Sequence, residues 1–121
     1  MNIKITSKDI EILEKQKDFF EEKIRSLEKF SKRYGKMADL EIVVRKITLR
    51  RESGHIFKAE AKMQIPGKDL FCKAEGINIE EVAAHLKDNL KRLMIEDKEN
   101  RQSRWKKIAR IIKDKFHFFS R

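Results

Sequence analysis

The chain has 121 residues, enough for one domain around one core. Thirty Lys and Arg against twenty Asp and Glu leave a net charge of +10, with a pI near 9.8, which suits a nucleic acid or an anionic membrane surface as partner. The composition also excludes several classes. One cysteine permits neither an intrachain disulfide nor a four-cysteine zinc site, and four Gly with one Pro argue against a low-complexity chain.

Met1 to Thr6 alternates, with Ile3 and Ile5 on one face and Asn2, Lys4 and Thr6 on the other, and predicts a short strand. Ser7 or Asp9 is placed to cap a helix running to about Phe30. Its apolar residues include Ile12, Leu13, Phe20, Ile24, Leu27 and Phe30; Lys15, Asp18, Glu22, Arg25 and Lys29 form a solvated face. Residues 31–38, with Tyr34 and Gly35, read as a connection. Residues 40–49 are rich in β-branched side chains and predict a strand. Residues 50–54 read as a turn. Residues 56–65 alternate, with Phe57, Ala59, Ala61, Met63 and Ile65 facing one way. Pro66-Gly67-Lys68-Asp69 is a turn signal. Residues 70–75 predict a last strand, with Leu70, Cys72 and Ala74 on one face. Asn78 then caps a helix whose stripe is Ile79, Val82, Ala83, Leu86, Leu90 and Leu93.

The order β-α-β-β-β-α implies an α+β two-layer domain: a four-stranded sheet with two helices on one face. The expected division is an α+β domain over residues 1–95 and a basic amphipathic helical extension over 96–121. In that extension Trp105, Ile108, Ala109, Ile112 and Phe116 keep helical spacing, as a new helix or as a continuation of the preceding one. It holds nine Lys/Arg against four Asp/Glu, so half of the charge excess lies there. No segment approaches the roughly 20 apolar residues of a membrane span. The N-terminus has no apolar run fit for a signal peptide, so a soluble cytoplasmic protein is expected.

MNIKITSKDIE is similar to the opening I-x-I-T-G-K-x-I-E of the ribosome hibernation-promoting factor family, which includes the ribosome-associated inhibitors and sigma-54 modulation proteins. FFEEKIRSLEKF resembles that family's Y-V-x-x-K-L-x-K-L-E-K-Y helix, IPGKDL its L-P-G turn, and DNLKR its D-K-L-E-R. The resemblance covers about Met1 to Leu93. The family's D-M-Y-x-A-I-D is replaced by Asn78-Ile79-Glu80-Glu81-Val82-Ala83-Ala84, and Asn89 stands where Lys is common. The resemblance implies a short-form hibernation factor. Such a factor binds the small ribosomal subunit, with its 16S-type rRNA, in the mRNA and tRNA channel and so inhibits translation.

Within that reading Lys87, Lys91 and Arg92 are the first candidates for RNA contact. Lys87 and Lys91 lie four apart on one helix face, with Arg92 beside them. Arg25 and Lys29, with Lys32 and Arg33 just after them, are candidates for a second edge of the patch. Arg45, Lys46, Arg50 and Arg51 either contact RNA or guard an edge strand. Trp105, Phe116, Phe118 and Phe119 are expected to pack, on this domain or on a second copy, rather than to stack on bases. Alternatives are a protein-interaction or homodimerising module with a basic amphipathic tail, and a general structured-RNA binder. No cofactor, small-molecule substrate or enzymatic activity is expected: His55, His85 and His117 lack metal spacing, and no nucleophile or phosphate-loop motif occurs.

Overall fold

The computed structural model describes residues 1–8, 10–48 and 55–119, with side chains over 1–8, 10–47 and 56–115. The elements are β1 (Asn2–Lys8), α1 (Glu14–Arg25), α2 (Glu28–Ser31), a 3-10 turn (Lys32–Met37), β2 (Asp39–Thr48), β3 (His55–Ile65), β4 (Lys68–Gly76) and α3 (Ile79–Phe119). The predicted turn at 50–54, with Arg50 and Arg51, lies outside the described residues.

One sheet holds the strands in the order β1-β2-β3-β4. β1 and β2 are parallel, with Ile3 opposite Leu40 and Ile5 opposite Ile42. A tight turn cannot join parallel strands, so the chain crosses through α1. β2, β3 and β4 form an antiparallel meander. Its last turn is set by Pro66 and by Gly67, whose φ of 88° suits a residue without Cβ. Leu40, Ile42, Val44, Ala59, Ala61, Met63, Leu70 and Ala74 point from the sheet into the core. Phe20, Ile24 and Leu27 meet them from α1 and its end, and Ile79, Val82, Leu86, Leu90 and Met94 from α3. This is the expected two-layer α+β arrangement.

The first helix differs from expectation. Ser7 does not cap it, because β1 continues to Lys8 and Ser7 pairs with Val44 in the ladder. The helix starts at Glu14, six residues after the end of β1. There the Gln16 side chain accepts from the Leu13 N–H at 3.1 Å, and Leu13 itself is exposed rather than buried. Nor does the helix reach Phe30 unbroken. The Ser26 hydroxyl donates to the Lys23 carbonyl at 2.6 Å, competing with the helical ladder, and the chain re-enters a short helix at Glu28.

The second major helix starts as its sequence suggests. The Asn78 side chain accepts from the Glu81 N–H at 2.8 Å. The helix then continues through the basic tail as one element of 41 residues, so continuation rather than a new helix is what the chain adopts.

Candidate nucleic-acid interface

α3 lies across β3 and β4 with α1 on its other flank. Its exposed side therefore borders two different surfaces.

Toward α1 and α2, Lys87 lines an open hollow with Phe19, Glu22, Lys23 and Ser26. One turn further on, the Lys91 ammonium sits 5.5 Å from the centre of the Phe30 ring. Lys29 approaches the same ring at 5.2 Å, and Lys23 lies over Phe19 at 5.6 Å. These are cation–π distances: the ring faces hold the lysine ammonium groups in place at the helix surface. Lys87, Lys91 and Lys29, three of the predicted residues, thus lie along the groove between α3 and α1–α2: Lys87 and Lys23 line the hollow with Glu22, and Lys29 and Lys91 flank Phe30 one turn on. Lys32, also predicted, is exposed in the 3-10 turn just after α2.

Toward β4 the character changes. Arg92 lines a cleft of about 580 Å³ with Lys58, Lys73, Glu75, His85, Asp88 and Asn89. It donates to the Asn89 side chain at 3.2 Å. Asn89 donates to the Lys73 carbonyl at 2.7 Å, and His85 Nδ1 lies 2.8 Å from the Glu75 carbonyl. A carbonyl only accepts, so His85 carries its proton on Nδ1. Lys58, Lys73 and Arg92 are offset by Glu75 and Asp88, and Lys58 lies 3.7 Å from Glu60. Arg92 therefore shares a helix with Lys87 and Lys91 but borders a different, more balanced surface.

Arg25 and Arg33 are engaged by partners of their own chain, Arg25 at the exposed surface. Arg25 is bracketed by Glu21 and Glu28, each at 3.0 Å. Arg33 donates to the Tyr34 hydroxyl and to the Met94 carbonyl, stacks 4.7 Å from the Tyr34 ring and lies 3.7 Å from Asp97.

Asp97, like Lys23, Lys58 and Lys73, is a residue that sequence reasoning missed. Its carboxylate is fully buried. It accepts from the Tyr34 hydroxyl, pairs with Lys68 at 2.9 Å and receives Arg101 at 2.9 Å. Burial alone would push its pKa up. The Tyr34 and Lys68 hydrogen bonds and the nearby Arg101 and Lys68 charges outweigh that and hold it below the usual carboxylate range. Burial, then the Asp97 contact, raises the Tyr34 hydroxyl. A signal was present: Asp97 falls on the apolar stripe of α3, four residues before Arg101. Its partners Tyr34 and Lys68 are distant in sequence, and no local pattern names them.

Cys72 is half-buried on the helix-facing side of β4, and burial raises its thiol to about 11, so at neutral pH it packs as an uncharged side chain. Among the described residues no group of three or more His, Cys, Asp or Glu is placed to hold a metal ion. No described helix is long and apolar enough to cross a membrane. Trp105 is 69% exposed and does not pack on its own domain; the side chains of Phe116, Phe118 and Phe119 lie outside the described residues.

The model of a family described as "Sigma 54 modulation protein / S30EA ribosomal protein" matches residues 3–102. Among solved structures the fold is similar to a ribosomal subunit interface protein from Coxiella burnetii, with a TM-score of 0.65 at 16% identity, over 82% of this chain and 99% of that one. A second match is the Protein Y N-terminal domain from Thermus thermophilus, with a TM-score of 0.49 at 23% identity, over 77% of this chain and 99% of that one. No curated protein matches the chain in sequence.

Proposed function

Because the chain belongs to the sigma 54 modulation protein / S30EA ribosomal protein family, we propose that it is a ribosome hibernation factor that binds the small ribosomal subunit in the mRNA and tRNA channel and blocks translation by occupying it. The family description supports association with the ribosome. The observation that carries the RNA-facing part is the groove lined by Lys23, Lys29, Lys87 and Lys91.

Folded RNA offers phosphates at helical spacing and little sequence information in its deep groove, so it is recognised largely through backbone and shape. Lysines whose ammonium groups are positioned over aromatic rings at the surface are suited to such a backbone, because they neutralise phosphates and set the register of docking. Lys32 extends the groove's charge beyond α2. Arg92, with Lys58 and Lys73, forms a second contact across the helix. Arg25 and Arg33 act indirectly, Arg25 through its carboxylate pairs and Arg33 by holding the 3-10 turn against α3. The mechanism is steric and uses no cofactor, and its place of action is the cytoplasm.

Co-sedimentation with purified small subunits at moderate salt, paired with in vitro translation, tests the reading. Binding that excludes mRNA, with translation falling in proportion to occupancy, is expected. Stronger binding to naked duplex RNA than to subunits would instead make the chain a general structured-RNA binder.

A further inference from the structure

The stripe of α3 does not stop where the domain does. Ile79, Val82, Ala83, Leu86, Leu90, Met94 and Asp97 are buried on one face of the helix. At three- and four-residue steps the same face continues through Arg101, Trp105, Ile108 and Ile112. Arg101 is the last anchor, donating to the Pro66 carbonyl at 2.7 Å. Every described side chain from Gln102 to Lys115 is exposed. Trp105 is 69% exposed, Ile111 56%, Ile112 47% and Ile108 46%. From Trp105 to Phe119 the helix extends about 22 Å at 1.5 Å per residue, past the sheet edge formed by the β3–β4 turn.

We propose that this overhang is a docking ledge for an acidic amphipathic helix of another protein. At about 100° per residue, Ile111, Ile108, Ile112, Trp105 and Ala109 span an arc of roughly 160°. Arg104 and Lys115 sit within the arc, with Lys107 and Lys113 along its two rims. An occupant must bring apolar side chains to the arc and carboxylates to these cations.

Geometry and charge weigh against the other occupants. The arc faces the side on which the sheet lies. The sheet stands in front of it by roughly one helix diameter, about 10 Å, at the anchored end, so a flat bilayer meets the domain before it meets the arc. RNA offers phosphates to the cations and bases to Trp105, but nothing that covers three isoleucines. A second copy brings one strongly basic helix alongside another and sets like charges beside the seam.

Trp105 is the only tryptophan of the chain, so its emission reports directly on the arc. The full chain is titrated with a synthetic helical peptide carrying Leu on one face and Glu along its flanks, and with the same apolar face flanked by Lys. The expected result is a saturable blue shift with the Glu peptide and at least about tenfold weaker response to the Lys peptide. Ile108→Asp with Ile112→Asp should abolish the shift without changing helicity or co-sedimentation with small subunits, since both side chains are exposed. Reversing Arg104, Lys107, Lys113 and Lys115 to Glu should invert the peptide preference. The proposal is overturned by equal response to both peptides, by no response, or by a preference that does not invert. It is equally overturned by a stronger response to phosphatidylglycerol–phosphatidylcholine vesicles or duplex RNA, or by a shift that grows with chain concentration alone.

Discussion

At the scale of the residue, the buried carboxylate of Asp97 explains more of this molecule than any single surface cation. It gathers Lys68 and Arg101 at 2.9 Å, Arg33 at 3.7 Å and the Tyr34 hydroxyl onto one point of α3. A buried charge with matched partners costs desolvation, and removing it leaves those partners unpaired. Asp97→Asn should therefore destabilise the fold by about 3 kcal/mol in urea unfolding at neutral pH. The sign of the pH dependence follows from its lowered folded pKa. The contribution of Asp97 is fully present above the unfolded carboxylate value, about 4, and is lost as pH falls through the lower folded value. The gap between wild type and Asp97→Asn should stay constant from pH 8 to about pH 5 and narrow below about pH 4. A gap that widens on acidification would contradict the role given to this carboxylate.

At the scale of the element, α3 acts twice. Its first half closes the edge strand. The outward carbonyls of Lys73 and Glu75 on β4 meet the side chains of Asn89 and His85, which shields one edge of the sheet from pairing with another chain. Replacing both side chains with Ala should cost about 2 kcal/mol, roughly 1 per hydrogen bond, and hydrogen exchange should accelerate along β4 before it does along β2. The second half contributes charge and reach rather than packing. A chain ending at Ser103 keeps Asp97 and Arg101 and should unfold within about 0.5 kcal/mol of the full chain, because every described side chain it removes is exposed. A chain ending at Glu96 loses the whole Asp97 cluster and should fall by about 3 kcal/mol or more. Equal midpoints for the two truncations in thermal unfolding would deny the cluster any stabilising role. The start of α3 is legible because an Asn cap and a 3.6-residue stripe are local signals. The start of α1 is not: the pairing of Ser7 with Val44 depends on a strand some thirty-five residues away.

At the scale of the whole molecule, the net charge of +10 is distributed rather than uniform. One part lines the groove of Lys23, Lys29, Lys87 and Lys91, and another lies along the overhang. If the groove meets RNA phosphates, log affinity for small subunits should fall with log salt at a slope of about −3 or steeper from these four lysines alone. Lys87→Ala with Lys91→Ala should flatten that slope by roughly 1.5 units. An unchanged slope would remove these two lysines from the interface. By itself the sequence determined the β-α-β-β-β-α order, the core faces, the cap at Asn78 and the basic balance, because alternation, helical periodicity, turn chemistry and charge are written in neighbouring residues. Tertiary structure alone decided which cations share a surface. Lys29 and Lys91 meet over Phe30, Arg92 turns to the β4 side, and Arg25 and Arg33 are taken up by carboxylates. It also decided that the stripe of α3 runs from core to open solvent, since whether an apolar residue is buried depends on where the sheet ends, a distance no local pattern encodes.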